Sequence, residues 1–361
     1  MAGQGELIGD PTGSTRATAG LAERPASRPF RVAVLGAGTV GREVIAALRA
    51  GWGAGAVELS GVAARDLAKA EAAGIPAGLL TDAPAHLVAE SDVMVELMGG
   101  EEPARTLIAA ALGAGMPVVT ANKYVLARHG ASLEAVARGA GAAFRFEAAV
   151  LGGTPVLRLL AEDLAGTRVL ALRGIVSGTT NYILTEMAAT GSSYEAALAA
   201  AQAAGYAEAD PTADVEGGDA ADKLVILARL AFGGWLNRAS VPTGTPGRRG
   251  ITGVTAEDLA AAAERGEAIR LLATGSRRDP EAPIAAAVAT AAVPVASALG
   301  STGGVRNRVE IETDRLGWIG IEGPGAGGAA TAAAVLADLG AVMAGRGSTW
   351  GSLPPAAAVE A

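Results

Sequence analysis

Nineteen residues, 205–223, hold six carboxylates (Glu208, Asp210, Asp214, Glu216, Asp219 and Asp222) and end on Lys223. An unpaired buried carboxylate costs several kcal/mol and takes up a proton rather than stay charged, so such a run is either a solvated loop or a polar site. The order of residues favours a site. Asp219 and Lys223 stand four apart where the apolar run 224–232 begins, and at that spacing they share one face of a helix's first turn. An ammonium held there can stabilise and then protonate an oxygen on which negative charge develops.

A second chemical signature lies near the N-terminus. Gly36-Ala37-Gly38-Thr39-Val40-Gly41 follows the apolar strand 31–35 and opens a helical pattern at 42–49. The first glycine makes the turn, the second lets the backbone approach a pyrophosphate, and the third lets helix pack on strand. The free amides at the helix start then hold the phosphates, which points to dinucleotide binding. The next strand, 57–63, leads to Arg65 and Asp66. An acidic residue at this tip suits the ribose diol of NAD and an arginine suits a 2′-phosphate, so Arg65 with Lys69 tilts toward NADP while Asp66 leaves NAD open.

These residues need a scaffold, and the alternation of elements supplies one. Strand 92–97 runs into Gly99-Gly100, a helix follows over 103–113, and then comes strand 117–121 with Lys123 just beyond its C-terminal end. Repeated βα alternation is the doubly wound, Rossmann-type parallel sheet, and ligands bind in the crevice at the C-terminal strand ends. Lys123 is therefore either a solvated loop lysine or a crevice residue. A last strand near 144–147 and the glycine turn at 152–153 mark the passage to a second α/β domain. The expected division is a disordered tail over 1–28, the dinucleotide-binding domain over 29–150, the second domain over 151–322, and a C-terminal helix over 323–361 that returns to the first. In the second domain, strand 170–176 precedes Ser177-Gly178-Thr179-Thr180-Asn181, read as a plain cap on a helix over 182–189.

Bulk properties narrow the function class. A chain of 361 residues with net charge −8 has room for two cores and no basic surface for nucleic acid. With no cysteine, disulfides and thiol chemistry are excluded, and two histidines, His86 and His129, make a Ser-His triad or multi-histidine metal site improbable. No apolar leader block opens the chain, and the uncharged stretch 282–305 is interrupted by prolines and glycines, so it reads as short strands and a loop. Small-molecule work in the cytoplasm is the expectation.

The sequence resembles the homoserine dehydrogenases over about residues 30 to 345. The spacing of Ala201, Gly205-Tyr206, Asp210-Pro211, Asp214-Val215, Gly217, Asp219 and Lys223 follows that family's signature, supported by blocks at 36–41, 120–123, 147–155, 174–185 and 323–328. The resemblance implies reversible NAD(P)H-dependent reduction of L-aspartate 4-semialdehyde to L-homoserine, by a homodimer whose second α/β domain serves catalysis and dimerisation. It implies Lys223 as proton donor, Asp219 at the substrate's reacting end, and Lys123 between nicotinamide and substrate. Glu208 would bind the substrate's amino group, Asp214 would support the site, and Gly178 and Thr179 would lie against the substrate. Thr39, Val40, Gly99 and Gly327 would touch the coenzyme, beside Gly36, Gly38 and Gly41. A monovalent cation such as sodium would rest mostly on backbone carbonyls at Glu147, Val150, Gly152 and Thr154.

Two lysines facing one pocket with Asp219 would depress one another's proton affinity. Asp210, Glu216 and Asp222 are expected to be caps and surface. Ser177 and Gly218 depart from the family pattern, and the chain ends soon after its last helix, so threonine inhibition through a C-terminal module is not expected. A non-catalytic nucleotide-binding paralogue and an oxidoreductase for a related amino-acid semialdehyde are the alternatives.

Overall fold

The computed structural model describes residues 28–245, 247–356 and 359–360; the tail expected over 1–28 lies outside them but for its last residue. Strands β1 (Phe30–Leu35), β2 (Val57–Ala63), β3 (Leu80–Thr81), β4 (Val93–Glu96), β5 (Val118–Thr120) and β6 (Phe144–Arg145) form one parallel sheet in the order β3-β2-β1-β4-β5-β6. The order reverses between β1 and β4, which opens a crevice at their C-terminal ends. Strand β1 shows why this sheet is covered on both sides. Its residues alternate between two cores, Phe30, Val32 and Val34 facing one and Ala33 and Leu35 the other. The first core is closed by helix Thr39–Arg49 and by helix Gly328–Met343, near the C-terminus; the second by helices Ala104–Gly113 and Lys123–Ala140.

The second sheet is antiparallel. Strand β7 (Val169–Ile175) lies at its centre, and the order is β12-β11-β7-β13-β14 with β11 (Glu267–Ser276), β12 (Ala285–Pro294), β13 (Arg306–Thr313) and β14 (Gly317–Pro324). Among the smaller elements, β8 (Trp235–Leu236) pairs with β15 (Val359–Glu360), and β9 (Gly244–Thr245) pairs with β10 (Arg248–Arg249). The stretch 282–305 becomes β12 and the short helix Ala298–Ser301, and among the described residues no helix is long and apolar enough to cross a membrane.

Helix Gly218–Phe232 packs on the second sheet and against helix Lys123–Ala140 of the first domain. Every residue from Asp219 to Leu230 is buried, so it is a core helix with no solvent face, and any charge on it must be paired. Its ends are set by Gly217 and Gly233, both left-handed at φ 81° and 82°, a conformation that costs glycine nothing.

Candidate active site

The first-domain half of the site is built at the strand ends. Gly36 turns the chain away from β1 with φ 111°, and a side chain there would strike the backbone of Leu97 after β4. Gly41 lies equally close to the Gly36 carbonyl, so helix and strand can touch only through glycine. A Cβ on Gly38, by contrast, would have no atom within 4 Å. Helix Thr39–Arg49 has no side-chain cap and no acidic residue in its first turn, and its first helical bond runs from the Arg42 amide to Gly38 O. The amides of Thr39, Val40 and Gly41 thus precede the ladder beside open space, a cradle that fits a pyrophosphate. Gly99 and Gly100, left-handed at φ 71° and 73°, and Gly327 at φ 115° also face open space, while Gly328 packs on Thr39. Asp66, which left NAD open in the sequence, caps helix Leu67–Ala72 by accepting from the Lys69 amide at 2.9 Å, while Arg65 is exposed.

Lys123 begins its helix directly after β5, and a small network holds the entry. Thr120 donates to the buried Glu96 carboxylate at 2.6 Å, the Asn122 amide donates to Thr120 Oγ1 at 3.0 Å, and Asn122 Nδ2 donates to Gly100 O at 2.8 Å. Burial raises the Glu96 pKa. Glu96, Thr120 and Asn122 were not singled out in the sequence; the detectable signal was a carboxylate ending an otherwise apolar strand.

The two halves meet at Asp219. Its Oδ1 lies 2.8 Å from Lys123 Nζ and its Oδ2 lies 2.7 Å from Lys223 Nζ, which also donates to Val176 O at 2.6 Å. Asp219 and Lys223 are buried, whereas the Lys123 side chain is 41% exposed. Burial by itself would raise the Asp219 pKa, but Lys223 and Lys123 outweigh it and hold the carboxyl at about 2. The expected mutual depression of the lysines is overturned for Lys123. Asp219 sits between the ammoniums and its charge raises the Lys123 pKa against the opposing effect of burial.

Around this centre the segment 206–214 folds over the start of helix Gly178–Thr190. Thr179 Oγ1 donates to Tyr206 O at 2.8 Å, the rings of Tyr182 and Tyr206 lie 4.9 Å apart, and the Asp214 pKa is raised by burial and by Asp219. Ser177 caps this helix as expected, although the helix begins at Gly178, so Gly178 to Asn181 form its first turn. Asp210 caps Thr212 and Glu216 meets Arg249 at the surface, 3.5 Å away. Asp222 is a correction: it is buried and paired with Arg128 and Arg238, because its helix has no outer face. Glu208 is exposed, with its main-chain carbonyl accepting from Gln202. A cavity of about 550 Å³ lined by Thr212, Glu216, Gly218 and Arg238 adjoins this segment but includes neither lysine, so charge geometry rather than concavity locates the centre.

At the junction of the halves, Leu151 and Gly152 are both left-handed at φ 55°. Thr154 Oγ1 donates to Pro324 O at 3.3 Å, and Gly152 lies against Gly325 O. The Glu147 carboxylate is already engaged, accepting from the amides of Leu157 at 2.9 Å and Arg158 at 2.8 Å; burial and nearby Asp338 push it up to about 7. Among the described residues no group of three or more acidic or histidine side chains is arranged to hold a metal. A cation here would therefore rest on main-chain and hydroxyl oxygens.

Comparisons with known proteins give the family. Residues 36–147 match the family model "Homoserine dehydrogenase, NAD binding domain" and residues 155–339 match "Homoserine dehydrogenase". The chain is 45% identical to the homoserine dehydrogenase of Mycobacterium bovis, covering 91% of this chain and 75% of that one. It is 41% identical to that of Corynebacterium glutamicum, covering 90% and 74%. Among solved structures, a homoserine dehydrogenase from Thiobacillus denitrificans superposes with a TM-score of 0.80 at 39% identity, covering 86% of this chain and 72% of that one. A hyperthermophilic archaeal homoserine dehydrogenase in complex with NADPH superposes with a TM-score of 0.71 at 27% identity, covering 88% and 98%. With an NAD-binding half, a lysine–aspartate–lysine centre and relatives at this identity, the chain belongs to the homoserine dehydrogenase family, NAD(P)-dependent oxidoreductases acting on the CH–OH group of L-homoserine.

Proposed function

We propose that in the reversible interconversion of L-aspartate 4-semialdehyde and L-homoserine Lys223 is the proton donor to the carbonyl oxygen. The observation that carries this assignment is the Asp219 carboxylate held between Lys223 and Lys123 at 2.7 and 2.8 Å. Residues 36–41, with Gly99 and Gly327, would hold NAD(P)H, which when bound would supply the hydride. Reduction places negative charge on the substrate oxygen, and the buried Lys223 ammonium stabilises and protonates it. The Val176 carbonyl and Asp219 fix the direction of that ammonium. Lys123, partly exposed toward the crevice, spans the coenzyme and substrate sides.

The substrate's own ammonium needs a carboxylate, a role assigned to Glu208 with Asp214 in support. Its carboxylate would lie against Gly178 and Thr179 at the start of helix Gly178–Thr190. The engagement of Asp66 in a helix cap leaves Arg65 as the charged group at the β2 tip, which supports a preference for NADP. The turn at Glu147, Val150, Gly152 and Thr154 is assigned to a monovalent cation. We place the enzyme in the cytoplasm as a homodimer. Support for the dimer comes from the outer strand β14, where Trp318 is 47% exposed with Arg173 stacked on its ring.

The test follows NADPH absorbance with aspartate semialdehyde, and NADP reduction with homoserine, for the wild type and Lys223→Ala. Turnover by the wild type and its collapse in the variant are expected. Unchanged turnover in Lys223→Ala would remove the proton donor.

A further inference from the structure

Helices Lys123–Ala140 and Gly218–Phe232 carry the two halves of the reacting centre, and charge joins them at three levels. Lys123 meets Asp219 at 2.8 Å, Arg128 meets Asp222 at 3.1 Å, and Glu134 meets Arg229 at 2.7 Å. Partner numbers rise together along both helices, so the helices run in the same direction with their N-termini at the site. The middle level has no role in the chemistry above. Yet Asp222 is buried, and both its oxygens are taken: Oδ2 by Arg128 Nη1, and Oδ1 by Arg238 Nε at 2.5 Å. Arg238 also donates to Gly218 O at 3.0 Å, one residue before Asp219.

A buried ion pair of this kind adds little net stability over an apolar pair, but it specifies register. We propose that Asp222, with Arg128 and Arg238, is a positioning residue for the reaction: it locks the two helices in the register at which Asp219 meets Lys123. Asp222 touches no reacting group itself. Without its charge, Arg128 on the first helix and Arg238, in the turn Arg238–Ser240 after β8, would both be left uncompensated beside the helix interface and loosen it. A displacement of about 1 Å at a reacting centre costs on the order of 10²-fold in rate. The inference rests on the reading that Lys223 and Lys123 serve the reaction.

The experiment compares wild type, Asp222→Asn, Asp222→Glu, Arg128→Gln and the double variant Arg128→Gln/Asp222→Asn. Homoserine oxidation is followed from neutral to alkaline pH, with thermal melting in parallel. Asp222→Asn is expected to lower kcat by about 10- to 10²-fold with the KM for NADP unchanged. Lys123 is faced by Asp219, Asp214 and Asp222, all of which raise its proton affinity, so loss of Asp222 also moves the basic limb of the profile to lower pH. Asp222→Glu should recover part of kcat, and the double variant should be no slower than Asp222→Asn. A folded Asp222→Asn with wild-type kcat overturns the proposal, as does a loss of activity that only tracks the loss of folded protein with the pH profile unmoved. If Asp222→Asn does not fold, Arg128→Gln decides by the same readouts. Absence of turnover in the wild type would instead overturn the functional reading beneath it.

Discussion

The two ends of the helix pair Lys123–Ala140 and Gly218–Phe232 use the same chemistry to opposite purposes. Three turns past the lysine centre, Glu134 accepts from Arg138 Nε at 2.8 Å, Arg229 Nε at 2.8 Å, Arg229 Nη2 at 2.7 Å and Trp235 Nε1 at 2.7 Å. Arg229 goes on to donate to Gly233 O and Pro354 O. Trp235 in turn packs where a side chain on Gly130 would stand. That end is saturated and sealed, with Arg229 at 0% exposure. At the other end Lys223 gives two bonds and Lys123 one, which leaves ammonium protons unspent and one side chain open to the crevice. Spare hydrogen-bonding capacity beside a sealed helix pair separates a centre that can receive substrate from one that holds the fold.

Breaking each end in turn sharpens the contrast. Lys223→Ala is expected to lower kcat by about 10²- to 10⁴-fold while NADP binding, read by fluorescence titration, persists. Its melting temperature should move little, because Asp219 keeps Lys123. Arg229→Ala acts the other way. It takes two of the four bonds from the buried Glu134, which keeps Arg138 and Trp235, removes the donor to Gly233 O and Pro354 O, and is expected to cost about 3 kcal/mol in urea unfolding, with kcat of the folded fraction preserved. Equal effects of both variants on kcat and stability would erase the distinction.

Acid titration tests the charge balance itself. The Asp219 carboxyl is held at about 2 against an ordinary 3.8, so its contribution is fully present above pH 3.8 and is lost as pH falls through about 2. Linkage puts that contribution at about 2 kcal/mol. Asp219→Asn should flatten this part of the stability profile. Glu147 carries the opposite sign. Its carboxyl is pushed up to about 7, so the folded state holds a proton that the unfolded chain has released. Stability should therefore decline as pH rises from 4.5 toward 7, and Glu147→Gln should reduce the decline, the rest belonging to Asp338, whose carboxyl burial pushes up to about 6. A profile that rises through this interval in the wild type would contradict the assignment. The smallest effect is expected at the exposed coenzyme edge, where Arg65→Ala should shift the ratio of kcat/KM for NADP over NAD by about tenfold toward NAD.

What was readable beforehand follows the range of the interactions. The glycine turn and the Asp219–Lys223 pair are local, set by strand–turn–helix geometry and by i,i+4 spacing, and both stand as read at 36–41 and at 2.7 Å. Asp222 was misjudged because three residues of local sequence cannot show that a helix is buried on all sides; the signal was the apolar run 224–232, which leaves no polar face to the helix. The lysine interaction was misjudged for a related reason. The Asp219 carboxylate beside Lys123 outweighs the neighbouring ammonium and burial, and its place is a matter of ångströms.

The sequence by itself determined the parallel βα sheet, the dinucleotide cradle, the family and the lysine–carboxylate pair on one helical turn, because each depends on residues close in the chain. Only the tertiary structure decided that Lys123 reaches across to Asp219, that Asp222 is a buried link between Arg128 and Arg238, and that Glu134 and Arg229 seal the far end of the same helices. The contacts between the two helices join residues about a hundred positions apart, and they exist because two amphipathic and apolar surfaces, neither of which encodes its partner, pack in one register.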